Sequence, residues 1–364
     1  MNPLPPLDRI ARLGRLRAAF ADAGVDALLV TDLANIRYLT GFTGSAATVV
    51  VGHDDVMFLT DGRYRYMATD QLAEAEVTAN LVVDQPAGQM EALSRRCHGT
   101  RVGCEAADMT VARRHALETS IGMTLVPTTG LIERLRRRKD DGEIARIRQA
   151  AAIAAEVLAQ VITTITPATT ELDIAVGMEA QMRLAGAEGP AFDTIVAAGP
   201  NGANAHAIPG RVAIGGRPVV VDFGATIDGY RSDTTRTIAT GPVGAEVAEA
   251  WAAVYASQQA GVALLTSGRP THEIDHACRR ALAAADLDKY FTTGTGHGVG
   301  LVIHEDPFIR RLEGPDTLEV GDVVTVEPGV YLRGKFGIRI EDFYVVTSTG
   351  ADRLSPAELT PLVA

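Results

Sequence analysis

Cysteine is scarce: three residues in 364, Cys97, Cys104 and Cys278, odd in number and without a CxxC pair. That argues against a disulfide scaffold or a zinc ribbon and predicts three reduced, buried thiols. Aromatic residues make up 5% of the chain, with one Trp, and the net charge is −11. Little is available to stack on bases and acid outweighs base, so nucleic acid is not an expected partner. No apolar run approaches the ~18 residues of a membrane span, and the N-terminal stretch MNPLPPLDRIARLGRLRAAF carries charge where a signal peptide needs an unbroken hydrophobic segment. A cytoplasmic protein without a membrane partner is expected.

What remains is an ordinary globular composition, 46% hydrophobic and 22% charged, at a length that suits about two domains. Ile10, Leu13, Leu16 and Phe20 recur at helical spacing, and Gly24 then stops the helix before an apolar strand at Val25 to Val30. Ala46 to Val51 and Val56 to Leu59 read as a hairpin turning at His53, Asp54 and Asp55. An α/β unit over residues 1–130 follows from this alternation, then a charged linker at 131–140 and a second domain at 141–364. Within the charged run, Arg136, Arg137, Arg138 and Lys139 are followed at once by Asp140, Asp141 and Glu143, so a solvated helix face is expected rather than a basic patch.

The second domain contains an internal repeat. Glu171-Leu-Asp173 recurs as Glu273-Ile-Asp275, His206-Ala-Ile-Pro209 as His304-Glu-Asp-Pro307, Asp222-Phe-Gly224 as Glu327-Pro-Gly329, and Arg231-Ser-Asp233 as Arg339-Ile-Glu341. Matches in one order, at slowly growing separations, predict two copies of a helix-helix-strand-strand-strand unit related by a pseudo-two-fold. Such copies would bring their acids to one place.

Asp228-Gly229 is a strong two-residue hairpin turn, and a turn there puts Asp222 opposite Thr235, with Asp233 its diagonal neighbour roughly 7 Å away on the same face. A second turn near Lys335, flanked by Gly334 and Gly337, puts Glu327 and Glu341 on one face as well. Four carboxylates beside strands as apolar as Val219 to Val221 and Val323 to Val326 are too costly to bury unless protonated, paired with Arg or Lys, or bound to metal. Isolated salt bridges, such as Arg231 with Asp233 and Arg339 with Glu341, would account for one pair. Two divalent cations account for all four acids. His297, in Gly-Thr-Gly-His297-Gly-Val-Gly, supplies an imidazole that the first copy lacks, since Gly199 stands in its place. Ligand hardness favours Mn2+, with Co2+, Fe2+ and Zn2+ as alternatives.

His272-Glu-Ile-Asp-His276 matches HExxH, but its Glu-Ile-Asp recurs as Glu171-Leu-Asp173 without the histidines, so it reads as a coincidental helix face. Gly294, Gly296, Gly298 and Gly300 lack the spacing and strand-to-helix context of a phosphate loop and are expected to let substrate approach the backbone.

VVVDFGATIDGYRSDTTRT at 219–237, GTGHGVGLVIHEDP at 294–307, VTVEPGVY at 324–331 and GIRIED at 337–342 together resemble the metallopeptidase family of prolidase, aminopeptidase P and methionine aminopeptidase. The N-terminal part, including Asn35-Ile-Arg-Tyr38-Leu-Thr-Gly41-Phe, is similar to the creatinase-type domain that prolidases carry. The resemblance implies an α/β (α+β) chain with a smaller N-terminal α/β domain and a pita-bread catalytic domain. It implies Asp222 on one metal, Asp233 and Glu341 bridging, His297 and Glu327 on the other, and His206 and His304 as outer-sphere histidines. It further implies a homodimer and hydrolysis of Xaa-Pro bonds in a small peptide by a hydroxide shared between two metals, with Glu327 carrying the proton. Arg339 is expected either to bind a substrate carboxylate or to orient a ligand. A dipeptidase is the leading expectation, an aminopeptidase on longer Xaa-Pro peptides the nearest alternative, and a non-catalytic pita-bread binding module or a metal-free enzyme the reading of another class. Thr293 stands where relatives often have a pocket histidine, and Ala205 where they often have proline.

Overall fold

The apolar strands near the N-terminus join one six-stranded sheet in the spatial order Asn80–Val83, Val56–Thr60, Thr48–Gly52, Ala27–Val30, Arg101–Glu105, Thr124–Thr128. All share one direction except Thr48–Gly52, which is antiparallel to both neighbours. The hairpin expected at residues 53–55 is present, with Val51 paired to Val56. The Asn35 to Gly41 motif has a structural part here. Asn35 is buried and donates to Glu105 and Glu133 while accepting from Arg136, the Arg12 guanidinium lies 4.1 Å from the centre of the Tyr38 ring, and Gly41 ends the helix at φ 78°.

The computed structural model describes residues 3–358 and divides into two units, one of Pro6–Arg136 and one of Arg137 onward together with the residues up to Pro5. The first few residues therefore pack with the second unit: the Pro5 carbonyl accepts from Arg146 at 2.8 Å and Leu4 touches its core. Half of the run 131–140 is the helix Glu133–Arg137, and the expected solvated face is corrected in part. Arg138 is exposed, but Arg136 and Lys139 are buried. Arg137 pairs with buried Asp322 at 2.9 Å, and Lys139 pairs with Glu305 at 2.7 Å. Acids distant in sequence cover these cations, which a local reading of charge does not reveal.

In the second unit each half opens with two helices. Asp141–Ile162 starts from a capping box of Asp140 and Glu143, and Glu171–Leu184 from one of Thr170 and Asp173. Ala245–Val262 and Thr271–Ala283 open the other half. Strands follow in both halves, in more pieces than the three expected. The strand Val219–Phe223 pairs with Thr234–Ile238, and Val323–Val326 with Asp342–Val346. Alternation along each strand decides which side chains face the helices: Val219 and Val221 join the core of the first half, Val324 and Val326 that of the second. Asp222, between core-facing Val221 and Phe223, is out of phase with them and faces away.

The first hairpin has the expected register. Asp222 pairs with Thr235 and Ile227 with Tyr230, and the turn residues Asp228 and Gly229 have φ of 47° and 78°. Between the strands Gly224 is obligatory, because a Cβ there would lie 1.9 Å from the Ser232 carbonyl oxygen. The second hairpin is centred on Gly334, φ 76°, one residue earlier than expected, with Leu332 paired to Phe336 and Gly329 to Arg339. Beyond it Val326 pairs with Asp342, so the same register sets Glu327 across from Glu341. Cys97, Cys104 and Cys278 are free and buried. Among the described residues no helix is long and apolar enough to cross a membrane.

Candidate metal centre and active site

The two halves meet where Thr234–Ile238 runs beside residues 339–341. The Glu341 N–H donates to the Thr235 carbonyl at 3.1 Å, and the Thr237 hydroxyl donates to the Arg339 carbonyl at 2.9 Å. This junction is why acids from hairpins about a hundred residues apart in sequence reach one cavity. His206, Asp222, Asp233, His297, His304, Glu327, Arg339 and Glu341 all line that cavity, whose volume is about 470 Å³. Sequence reasoning did not pick out its apolar lining residues Phe192, Ile195, Ile303 and Phe308, nor Asp193 and Tyr331. None of these stands out locally, because an isolated aromatic or aliphatic residue carries no motif.

Donor atoms of Asp233, His297 and Glu341 lie within 4.8 Å of one another. His297 Nδ1 lies 3.1 Å from the Gly298 carbonyl oxygen. A carbonyl only accepts, so Nδ1 carries the hydrogen and Nε2 presents its lone pair. That lone pair faces Glu327 Oε1 at 3.4 Å and Asp233 Oδ2 at 3.6 Å. Burial holds the His297 ring below the usual imidazole pKa, which favours this neutral form. Three electron-rich groups facing inward repel one another unless a cation lies among them.

The titration behaviour agrees. Burial, then the charges of Glu341, Asp222 and Glu327, push Asp233 well above the usual carboxylate range. Burial and the neighbouring Glu327 and Asp222 charges do the same to Glu341, and burial pushes Glu327 up to about 7 despite Arg339. Asp222 Oδ2 accepts from Arg339 at 2.6 Å, while its Oδ1 is buried without a hydrogen-bond partner. An orphaned carboxylate oxygen in this setting has the chemistry of a metal ligand. The residues present thus fit divalent cations, and the salt-bridge alternative fails for three of the four acids. The pairings it named are also different: Arg339 pairs with Asp222 rather than Glu341, and Arg231 donates to the Ala191 carbonyl.

Arg339 uses four of its five N–H donors within the protein. Besides Asp222 it donates to Tyr331 Oη at 2.9 Å, Thr235 Oγ1 at 3.0 Å and the Ala205 carbonyl at 3.1 Å. Thr235 in turn donates to Glu341 Oε2 at 2.7 Å. Of the two expectations for Arg339, these contacts favour orientation of the acids over capture of substrate. The His304 and His297 rings meet edge to face at 4.3 Å, and His206 and His304 are exposed to the cavity. Thr293 also lines it, with a buried hydroxyl oxygen that has no partner.

His272 and His276 are half-buried, with rings 5.6 Å apart, and neither lines this cavity. Their Glu273 pairs with Arg269 at 2.7 Å, and Asp275 is fully buried rather than solvated. Substituting both histidines by Ala is expected to leave metal content and turnover unchanged; loss of bound metal, measured by elemental mass spectrometry, would contradict the coincidental reading.

Comparison with known proteins agrees with this architecture. Residues 145–348 match metallopeptidase family M24, and residues 12–138 match the creatinase/prolidase N-terminal domain. The chain is 36% identical to the uncharacterized peptidase YqhT of Bacillus subtilis, over 96% of this chain and 99% of that protein. Among solved structures, a Xaa-Pro dipeptidase from Bacillus anthracis superposes with a TM-score of 0.93 at 34% identity, covering 98% of this chain and all of the other. An X-Pro aminopeptidase from Thermotoga maritima superposes at 0.87 with 29% identity, over 94% of this chain and 98% of the other. The pita-bread domain of two pseudo-symmetric halves, its inward-facing acids and the preceding creatinase-type domain leave one conclusion: the chain belongs to metallopeptidase family M24.

Proposed function

We propose that this protein is a dinuclear metal-dependent peptidase that hydrolyses Xaa-Pro bonds, chiefly in dipeptides. The observation that carries the reading is the neutral His297 aimed at Asp233 and Glu327, beside Glu341, in a cavity that Phe192, Ile195, Ile303 and Phe308 also line. Asp222, Asp233, Glu341, His297 and Glu327 would hold two divalent ions, with Mn2+ the best match to so oxygen-rich a set. Bound there, such ions supply positive charge that acidifies a water and polarises the scissile carbonyl.

The chain's own groups carry the remaining steps. Glu327, the one of the four acids that stays partly open to the cavity, is placed to accept a proton from the attacking water and return it to the leaving nitrogen. His304, held below the usual imidazole range by burial and by His297, donates a hydrogen bond to the carbonyl oxygen as it gains charge. His206 contacts the substrate on the opposite side. Phe192, Ile195, Ile303 and Phe308 provide apolar surface for a proline ring and exclude water.

Dipeptidase action is supported by the likeness to the Bacillus anthracis enzyme, and the Thermotoga maritima aminopeptidase supports the alternative of longer substrates. Comparing kcat/KM for an Xaa-Pro dipeptide and a tetrapeptide with the same first two residues separates them. The dipeptide is expected to be turned over faster; preference for the tetrapeptide would make the protein an aminopeptidase. The proposed setting is a cytoplasmic homodimer, the location supported by three free thiols and the assembly by the family resemblance.

A further inference from the structure

Each half of the peptidase domain buries an acid near the start of its second helix, Glu171 at the first position of one and Asp275 at the fifth position of the other. Glu171 is 3% exposed and Asp275 is 0% exposed. Glu171 Oε1 accepts from the Ala198 N–H at 2.7 Å, and Oε2 accepts from the Gly210 N–H at 2.8 Å and the Asn201 side-chain amide at 2.9 Å. These donors stand at the two ends and within one loop, residues 199–210, which carries Ala205 and His206. One carboxylate thus closes the loop from behind, while Arg339 holds the Ala205 carbonyl from the cavity side.

Asp275 does the corresponding task in the other half. It accepts from the Thr295 hydroxyl at 2.8 Å and from Arg279 Nε at 2.6 Å. Arg279 donates onward to the carbonyls of Phe291 at 2.8 Å and Thr293 at 2.7 Å, with its guanidinium 4.2 Å from the centre of the Phe291 ring. The Thr295 carbonyl accepts from the Glu327 N–H at 2.8 Å. The segment 291–297, ending at His297, is therefore pinned by a charged pair that itself touches neither His297 nor the cavity.

Hydrogen bonds to ionised acceptors are short and directional, and loops without regular structure depend on such contacts to hold a side chain in place. We propose that Glu171 and the Asp275–Arg279 pair are positioning residues, the first fixing His206 on the substrate side and the second fixing His297 on the metal side. The proposal rests on the reading of the site given above. It also gives Glu171 of the repeated tripeptide and Asp275 of the HExxH-like stretch a task that needs no metal of their own.

The test uses the full chain with Glu171→Gln, Asp275→Asn, and Glu171→Gln combined with His206→Ala. Glu171→Gln is expected to raise KM for an Xaa-Pro dipeptide about tenfold with little change in kcat, and to add nothing once His206 is Ala. Its Mn2+ affinity, read by calorimetry on chelator-stripped protein without turnover, stays that of the unsubstituted chain. Asp275→Asn is expected to weaken Mn2+ binding by about tenfold while KM at saturating Mn2+ holds. Arg279→Lys keeps the charge but loses the fork, and gives the same loss should Asp275→Asn fail to fold. A rise in KM and a loss of Mn2+ affinity appearing together in both variants, in step with lost thermal stability, or full additivity with His206→Ala, would overturn the assignment. An unsubstituted chain that binds no Mn2+ would instead refute the underlying metal site, and with it the Asp275 half.

Discussion

Glu327→Gln is expected to reduce kcat by about a thousandfold or more while the protein still folds cooperatively. The substitution keeps the shape of the side chain but removes a proton acceptor and one anionic oxygen. Glu327 sits beyond the end of the core strand Val323–Val326, partly open to the cavity, so the apolar packing behind it is untouched. A thousandfold loss corresponds to about 4 kcal/mol of transition-state stabilisation, more than misplacement of a merely nearby group would cost. The measurement is kcat at saturating metal and substrate, alongside a thermal melt. Activity within about tenfold of the unsubstituted enzyme would remove Glu327 from the proton-transfer role.

The second expectation concerns stability and has the opposite sign from most buried substitutions. Asp233 is 4% exposed and Glu341 2% exposed, each facing the other acids, and both carboxyls are held well above the ordinary range by burial first and by their neighbours' charges next. A carboxyl whose folded pKa is raised contributes its stability fully below the unfolded pKa and loses it as pH rises through the folded pKa. The chelated, metal-free protein should therefore become less stable as pH rises from acid to mildly alkaline. Asp233→Asn removes one of the repelling charges and should raise the stability of the metal-free protein at alkaline pH by about 1–3 kcal/mol. The same variant should lose most of the stabilisation that added Mn2+ gives the unsubstituted protein. Thermal melts with and without Mn2+ measure both effects; a metal-free Asp233→Asn protein less stable than its parent at alkaline pH would show that the acids do not repel as argued.

Residues close in sequence made much of this site legible. Asp228-Gly229 fixes a two-residue turn, and from it the pairing of Asp222 with Thr235 follows by counting. The second hairpin was less sharply marked, because Gly334 and Gly337 both permit a turn, and the observed centre is Gly334. Longer-range features left no local trace. The Arg339–Asp222 pair spans the two halves, and nothing in either strand announces it. Lys139 looked solvated because Asp140 and Asp141 follow it, whereas its partner Glu305 is brought up by the fold. Glu171 was visible only as one member of a repeated tripeptide, because its three donors, Ala198, Asn201 and Gly210, lie at a strand end and in the loop after it, with no pattern of their own.

Cations must lie among the acids of the two halves, and anomalous diffraction at the manganese edge, from crystals grown with Mn2+, tests this most directly. Two peaks are expected, both within bonding distance of oxygens or nitrogens from Asp222, Asp233, His297, Glu327 and Glu341. No peak in that cavity, or a peak between His272 and His276 instead, would contradict it.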